Sequence, residues 1–221
     1  MNNYSFYRTI GSKGLKELAD EYHVGSDIDF VKARTKSSDY ILDLGCGYGR
    51  VSIPLAEAGY GNITGIDISQ DLIDDANKTA LEKNLSIRFD QGSMAALPYS
   101  DNYFDSVFCL WNSFNEIFDK EEQVKTLKEV RRVLKLGGKA YFVLVDSDNT
   151  EFKAKIDSGE IDKNNPVMMG NLKGIVTRQY VYTRGTLENI MAEAGFVQFT
   201  IDRIPMHERY RLLVVLHKLK S

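Results

Sequence analysis

Seven consecutive residues, Asp43-Leu44-Gly45-Cys46-Gly47-Tyr48-Gly49, hold the densest set of features from which a ligand site can be built. The three alternating glycines follow an apolar run of strand length and precede a helical stretch through Val51, Leu55 and Ala56. Glycine leaves the backbone open to a ligand and tolerates positive φ, so strand, tight turn and helix in this order argue for a bound molecule over a merely structural turn. The spacing is GxGxG, whereas GxGxxG is the usual fingerprint for a pyrophosphate at a helix amino terminus. Asp43 would repel such a phosphate but could bind an ammonium group, directly or through water. At the end of the next apolar run, Gly65-Ile66-Asp67-Ile68-Ser69 places a second carboxylate 22 positions after Gly45, where it can accept both hydroxyls of a ribose. Asp67 therefore marks an adenosine ligand, and Asp43 favours one that bears an amine and no phosphate.

The elements that must position these groups follow from the hydrophobic pattern. Short apolar runs at Tyr40 to Leu44, Asn62 to Asp67, Leu85 to Asp90, Ser106 to Leu110 and Lys139 to Val145 alternate with stretches of helical period, the signature of a parallel sheet with crossover helices. Ser69 is expected to cap a helix carrying Leu72, Ile73, Ala76, Ala80 and Leu81 on one face, and Val124, Leu127, Val130 and Leu134 mark another. Arg131, Arg132 and Lys135 fall in the last turn of that second helix, with Gly137-Gly138 as its stop. Residues 147–185 break the alternation, with one strand expected at Ile175 to Tyr182. Thr186 then opens a helix that Gly195 ends, and Phe196 to Ile204 and Tyr210 to Lys218 should pair antiparallel through a short connection around Pro205. Residues 12–36 read as two helices able to cover the site. No repeat or linker divides residues 1–221, which read as one domain with an amino-terminal helical cover (1–36) and an insertion (147–185).

The balance of 28 Lys and Arg against 31 Asp and Glu gives a net charge of −3, which offers no overall field for nucleic acid. Cys46 and Cys109 are too few and too far apart for a disulfide framework and suit a reducing cytoplasm. No signal peptide opens the sequence, and no apolar run nears the roughly 18 residues of a membrane span, so a soluble, cytoplasmic protein is expected. His23 and His217 have no partner at metal-ligand spacing, and no metal site is expected.

Taken in order, Asp43-Leu44-Gly45-Cys46-Gly47, Gly65-Ile66-Asp67, Leu97-Pro98-Tyr99, Phe104-Asp105 and the run from Leu127 to Gly138 resemble the class I S-adenosylmethionine-dependent methyltransferases, in the branch with the common small-molecule methyltransferase domain. The likeness covers about residues 38–145. It implies a Rossmann-like, doubly wound α/β fold whose seven-stranded sheet is mostly parallel with an antiparallel last strand. It also implies S-adenosyl-L-methionine as cofactor and S-adenosyl-L-homocysteine as product. Asp43 and the backbone of Gly45 and Gly47 would serve the methionine part, Asp67 the ribose, and Ser93 and Met94 the adenine, with Ile68 also counted among the cofactor-binding residues. The Leu110 backbone would lie beside the transferable methyl. The family often has aspartate where Ser93 stands, and a hydroxyl is the weaker acceptor. No Asn-Pro-Pro-Tyr or Asp-Pro-Pro-Tyr follows the fourth strand, which argues against nucleobase and glutamine amines.

Methyl transfer is an in-line displacement at an activated carbon, so alignment of the acceptor and exclusion of water outweigh any dedicated acid or base. No catalytic residue is assigned. Acceptor contacts are expected from Tyr4 and Tyr7, from Trp111 and Asn112, from Arg178, Tyr180 and Tyr182 on one face of a strand, and from His207. A small-molecule acceptor is the leading expectation. The alternatives are a protein or RNA acceptor, an NAD-dependent oxidoreductase, and an inactive cofactor-binding regulatory protein.

Overall fold

The computed structural model describes residues 4–21, 25–148, 150–172, 174–206 and 209–219. Helices α1 (Tyr4–Glu21) and α2 (Ser26–Lys32) precede β1 (Ile41–Leu44), α3 (Ser52–Glu57), β2 (Ile63–Asp67), α4 (Gln70–Glu82), β3 (Arg88–Gln91) and β4 (Phe104–Cys109). A 3-10 turn (Ser113–Glu116), α5 (Lys120–Val133), β5 (Leu134–Val145), α6 (Thr150–Asp157), β6 (Val167–Leu172), β7 (Ile175–Tyr180), α7 (Arg184–Glu193), β8 (Phe199–Met206) and β9 (Arg209–His217) follow. Seven strands form one sheet in the order β3-β2-β1-β4-β5-β9-β8. β9 runs antiparallel to both β5 and β8, while β1 to β5 pair in parallel. The sheet is thus the expected doubly wound one with a reversed last strand.

The central strands are apolar because both faces are covered. Leu42, Leu44, Val107 and Phe142 pack into the layer formed with α5 and α7, whereas Ile41, Phe108, Tyr141 and Val143 pack on the opposite side with Val31 and Leu55. α4 buries Leu72, Ile73, Ala76 and Ala80 of the face its 3.6 period predicts, whereas Leu81, read onto the same face, is 78% exposed at the last turn. No helix among the described residues is long and apolar enough to cross a membrane.

Several local expectations change. α5 ends at Val133 and the chain enters β5 directly at Leu134, which pairs with Phe104. Gly137 (φ +83°) and Gly138 therefore lie within β5, where a Cβ on Gly138 would come within 2.9 Å of the Asp105 carbonyl. Lys135 leaves the helix and ion-pairs with Asp105 at 2.7 Å. Arg132 folds back on Glu129, Asp101 and the carbonyls of Leu97 and Tyr99. Of the three cations read as a helix end, Arg132 thus joins α5 to the segment before β4, and Lys135 joins β5 to β4.

Ser69 occupies the amino-terminal cap of α4 without a side-chain cap bond, and Thr183 rather than Thr186 caps α7, accepting the Thr186 N–H. The insertion holds more structure than expected: α6 and a hairpin of β6 with β7. Pro205 sits inside β8, opposite Tyr210, so the chain reverses after it. β8 is an edge strand, which tolerates proline.

Candidate active site

The glycine turn is shaped by positive φ and by close approach. Gly45, Gly47 and Gly49 have φ of +79°, +53° and +79°. A Cβ on Gly45 would lie 2.7 Å from Met94 Cε and 2.8 Å from Ser113 Oγ, so the turn forms a cradle that any side chain would fill. The Gly45 and Cys46 N–H groups donate to the Ile66 carbonyl at 2.8 and 3.1 Å, locking the turn to the end of β2.

Asp67 completes that lock. Its Oδ2 accepts the Gly47 N–H and its Oδ1 the Ser69 N–H, each at 2.9 Å. Each oxygen retains a further lone pair for a ligand hydroxyl. Burial pushes the Asp67 pKa up, and the backbone N–H groups of Ser69, Gly47 and Ile68 oppose that rise. Ile68 beside it is 57% exposed and borders the cavity, an apolar face available to a ligand ring.

Asp43 lies at the end of β1 and is only 5% exposed. Ser52 Oγ donates to its Oδ2 at 2.6 Å. Burial raises its pKa to about 6; the Ser52 hydrogen bond and Arg50 work against the rise, and Asp67 and Asp27 add to it. Arg50 itself pairs with buried Asp27 at 2.6 Å and lies 5.1 Å from the Trp111 ring centroid. A desolvated carboxylate in this state gains from a cationic ligand and loses from a phosphate. The donor set therefore fits an amine-bearing cofactor.

These groups open on a cavity of about 710 Å³ at the carboxyl edge of the parallel strands, within the roughly 300–1,000 Å³ of small-molecule sites. All eight positions expected to hold the cofactor, from Asp43 to Leu110, border it. Ser93 Oγ accepts the Ala95 N–H at 3.1 Å, and the Leu110 carbonyl accepts the Ser113 hydroxyl at 3.1 Å.

Tyr7, Trp111 and Asn112 also border the cavity. Tyr7 donates its hydroxyl to Glu116 Oε1, pinning α1 to the 3-10 turn. Burial, then the charges of Glu116 and Asp67, raise its phenol pKa further. Trp111 and Asn112 are consecutive non-glycine residues with positive φ, +52° and +64°, a strain that clusters at functional sites. Asn112 is 6% exposed, and its Oδ1 is buried without a hydrogen-bond partner.

Arg178 and Tyr180 do not line the cavity. They share a strand face as read, but Thr177 and Gln179 are the β7 residues that border the cavity. The Arg178 guanidinium lies 4.7 Å from the Phe118 ring centroid. Tyr180 packs on Tyr182, which is fully buried and donates to the Phe114 carbonyl at 3.1 Å. His207, His23 and the Tyr4 side chain lie outside the described residues. Glu116, Arg203, Arg209 and Arg211 line the cavity without having been singled out by sequence. Each comes from a segment with no motif around it. Among the described residues no group of three His, Cys, Asp or Glu side chains is arranged to hold a metal ion.

A sheet ordered 3-2-1-4-5 with a reversed strand beyond it, a glycine cradle and two strand-end carboxylates define the class I S-adenosylmethionine-dependent methyltransferases. Residues 41–138 match the family described as "Methyltransferase domain". It is 37% identical over 140 residues to the probable methyltransferase ltbC of Aspergillus luteorubrus, a match covering 60% of this chain and 49% of that protein. It is 38% identical over 114 residues to a demethylmenaquinone methyltransferase of Lactobacillus johnsonii, covering 50% and 45%. The matches thus span about half the length of these curated relatives. The fold is similar to that of the 1,6-didemethyltoxoflavin-N1-methyltransferase of Burkholderia thailandensis, solved with its substrate and S-adenosylhomocysteine, at a TM-score of 0.70. That likeness covers 98% of this chain and 87% of that one at 16% identity, and it is one of fold alone.

Proposed function

We propose that the chain transfers the methyl group of S-adenosylmethionine to a small-molecule acceptor by in-line displacement and releases S-adenosylhomocysteine. The observation that carries this reading is the single cavity shared by the cofactor cradle and by Tyr7, Trp111 and Asn112. Asp67 holds the ribose hydroxyls, Asp43 the amine, and Ile68, Ser93 and Met94 the adenine. The cofactor supplies an activated methyl carbon. α1, pinned by Tyr7 to Glu116, excludes water, and the buried Asn112 Oδ1 accepts a hydrogen bond from the bound acceptor.

The quinone and toxoflavin derivatives named for the relatives support a small acceptor. We treat 1–221 as one functional unit, with 1–36 and 147–185 closing the acceptor side. The free, buried thiols of Cys46 and Cys109 fit a reducing, cytoplasmic setting. Calorimetric titration tests the reading. S-adenosylhomocysteine should bind with micromolar affinity, and Asp67→Ala should weaken it about a hundredfold, the loss of charge-assisted hydrogen bonds. Absence of binding by either S-adenosylmethionine or its product would overturn it.

A further inference from the structure

Four cations from outside the cofactor cradle line the cavity: Arg203 on β8, Arg209 and Arg211 on β9 and Lys155 on α6. The neighbouring carboxylate, Asp146, pairs with Arg203: its Oδ2 accepts Arg203 Nε at 2.9 Å, and its Oδ1 accepts the Asp148 N–H at 3.0 Å.

Arg211 differs from Arg203 in this respect. It sits opposite Val145, at the carboxyl end of β5, and its Nε is buried without a hydrogen-bond partner. Arg209, two residues away, shares its strand face. Burial, reinforced by the charge of Arg209, lowers the Arg211 pKa, while Asp27 and Asp146 act in the opposite sense. A desolvated donor on a cation costs stability unless an acceptor meets it.

The cofactor is the first candidate for that acceptor, because S-adenosylmethionine carries a carboxylate. The sheet order argues against it: β9 lies three strands from β1, about 14 Å at the usual spacing of roughly 4.8 Å. Arg50, beside Asp43 and Trp111, is the cation on the cofactor side. Val145 lies opposite Arg211, and Trp111, Phe152, Met168 and Tyr210 are further apolar or aromatic residues that line the same cavity.

Resting on the methyltransferase reading above, we infer that the methyl acceptor is an aromatic or similarly apolar molecule bearing an anionic group, a carboxylate or a phosphate, and that Arg211 holds that group with Arg209 and Arg203 flanking it. A bidentate guanidinium contact would fix the acceptor's orientation as well as its charge.

The test uses the full chain saturated with S-adenosylhomocysteine and two matched pairs of probes, salicylate with salicylamide and phenyl phosphate with phenol. At least one anion should bind ten times more tightly than its neutral partner. The preferred pair identifies carboxylate or phosphate. Arg211→Gln should abolish the preference and change S-adenosylhomocysteine affinity less than threefold. Equal affinities within both pairs, no heat from any probe, or a preference that survives Arg211→Gln would overturn the inference. So would an equal loss of cofactor affinity, which would assign the guanidinium to the cofactor. If Arg211→Gln does not fold, the wild-type preference must shrink as salt rises from about 0.05 to 0.5 M, and a salt-independent preference counts against the proposal. A wild-type chain that binds no S-adenosylhomocysteine rejects the methyltransferase reading itself.

Discussion

The two halves of the cavity are built by different means. The cofactor half comes from one stretch of chain, Asp43 to Leu110. There backbone groups and two carboxylates face the cavity, and the glycines clear space. The half proposed for the acceptor is assembled from α1, the turn after β4, the insertion and the β8/β9 pair, and it presents side chains. A backbone-built half accepts one ligand shape and tolerates little change. A half built from side chains on separate segments can be altered one residue at a time, which is how one fold serves many acceptors.

If this contrast is right, damage should be greatest on the cofactor side. Gly45→Ala forces a side chain into Met94 and Ser113 at a positive φ, at a cost of about 1–3 kcal/mol in strain alone. We expect it to reduce S-adenosylhomocysteine affinity at least tenfold and to lower the urea midpoint. A wild-type affinity in Gly45→Ala would show that the cradle is not used.

Asp43 gives a pH-dependent prediction. Its folded pKa of about 6 lies above the ordinary value of 3.8, so between these values the folded state binds more protons than the unfolded one. Ionisation of Asp43 thus costs ligand-free stability as pH rises through that window, and the full cost is present above about pH 6. Asp43→Asn should therefore stabilise the ligand-free chain at pH 7.5 but have little effect at pH 4. Cofactor affinity should fall in the wild type as pH drops below 6, and this fall should vanish in Asp43→Asn. Denaturant titrations at the two pH values and calorimetry across them provide the check.

The smallest effect should come from the acceptor half. Tyr7→Phe removes the hydrogen bond to Glu116 and with it part of the hold on α1. Loss of a bond to a charged group, about 1.5–3 kcal/mol at most and shared with α1 contacts at Leu15 and Leu18, should speed S-adenosylhomocysteine release about fivefold in stopped-flow measurements. An effect as large as that of Gly45→Ala would erase the contrast between the halves.

The same contrast explains what the sequence reveals. β1, β2 and β4 are legible because burial on both faces leaves an unbroken apolar run. The glycine turn is legible because positive φ and close approach demand glycine at fixed spacing. β6 escapes notice because Val167, Met168, Met169, Gly170 and Asn171 show no clean period. In β7 the alternation indicates that Arg178 and Tyr180 share a face, but period two does not specify which face meets the cavity. Thr183 and Thr186 both suit a cap, and only the backbone geometry separates them. Glu116 and Arg211 carry no local signature, because their importance arises from contacts across the sheet and from burial, both of which are long-range properties.

The most direct test of the central claim is a crystal structure with S-adenosylhomocysteine bound. The account predicts ribose hydroxyls within hydrogen-bond distance of Asp67, the amine toward Asp43, and the sulfur beside Leu110 facing Trp111 and Asn112. Density for the ligand elsewhere, or with its ribose away from Asp67, would contradict it.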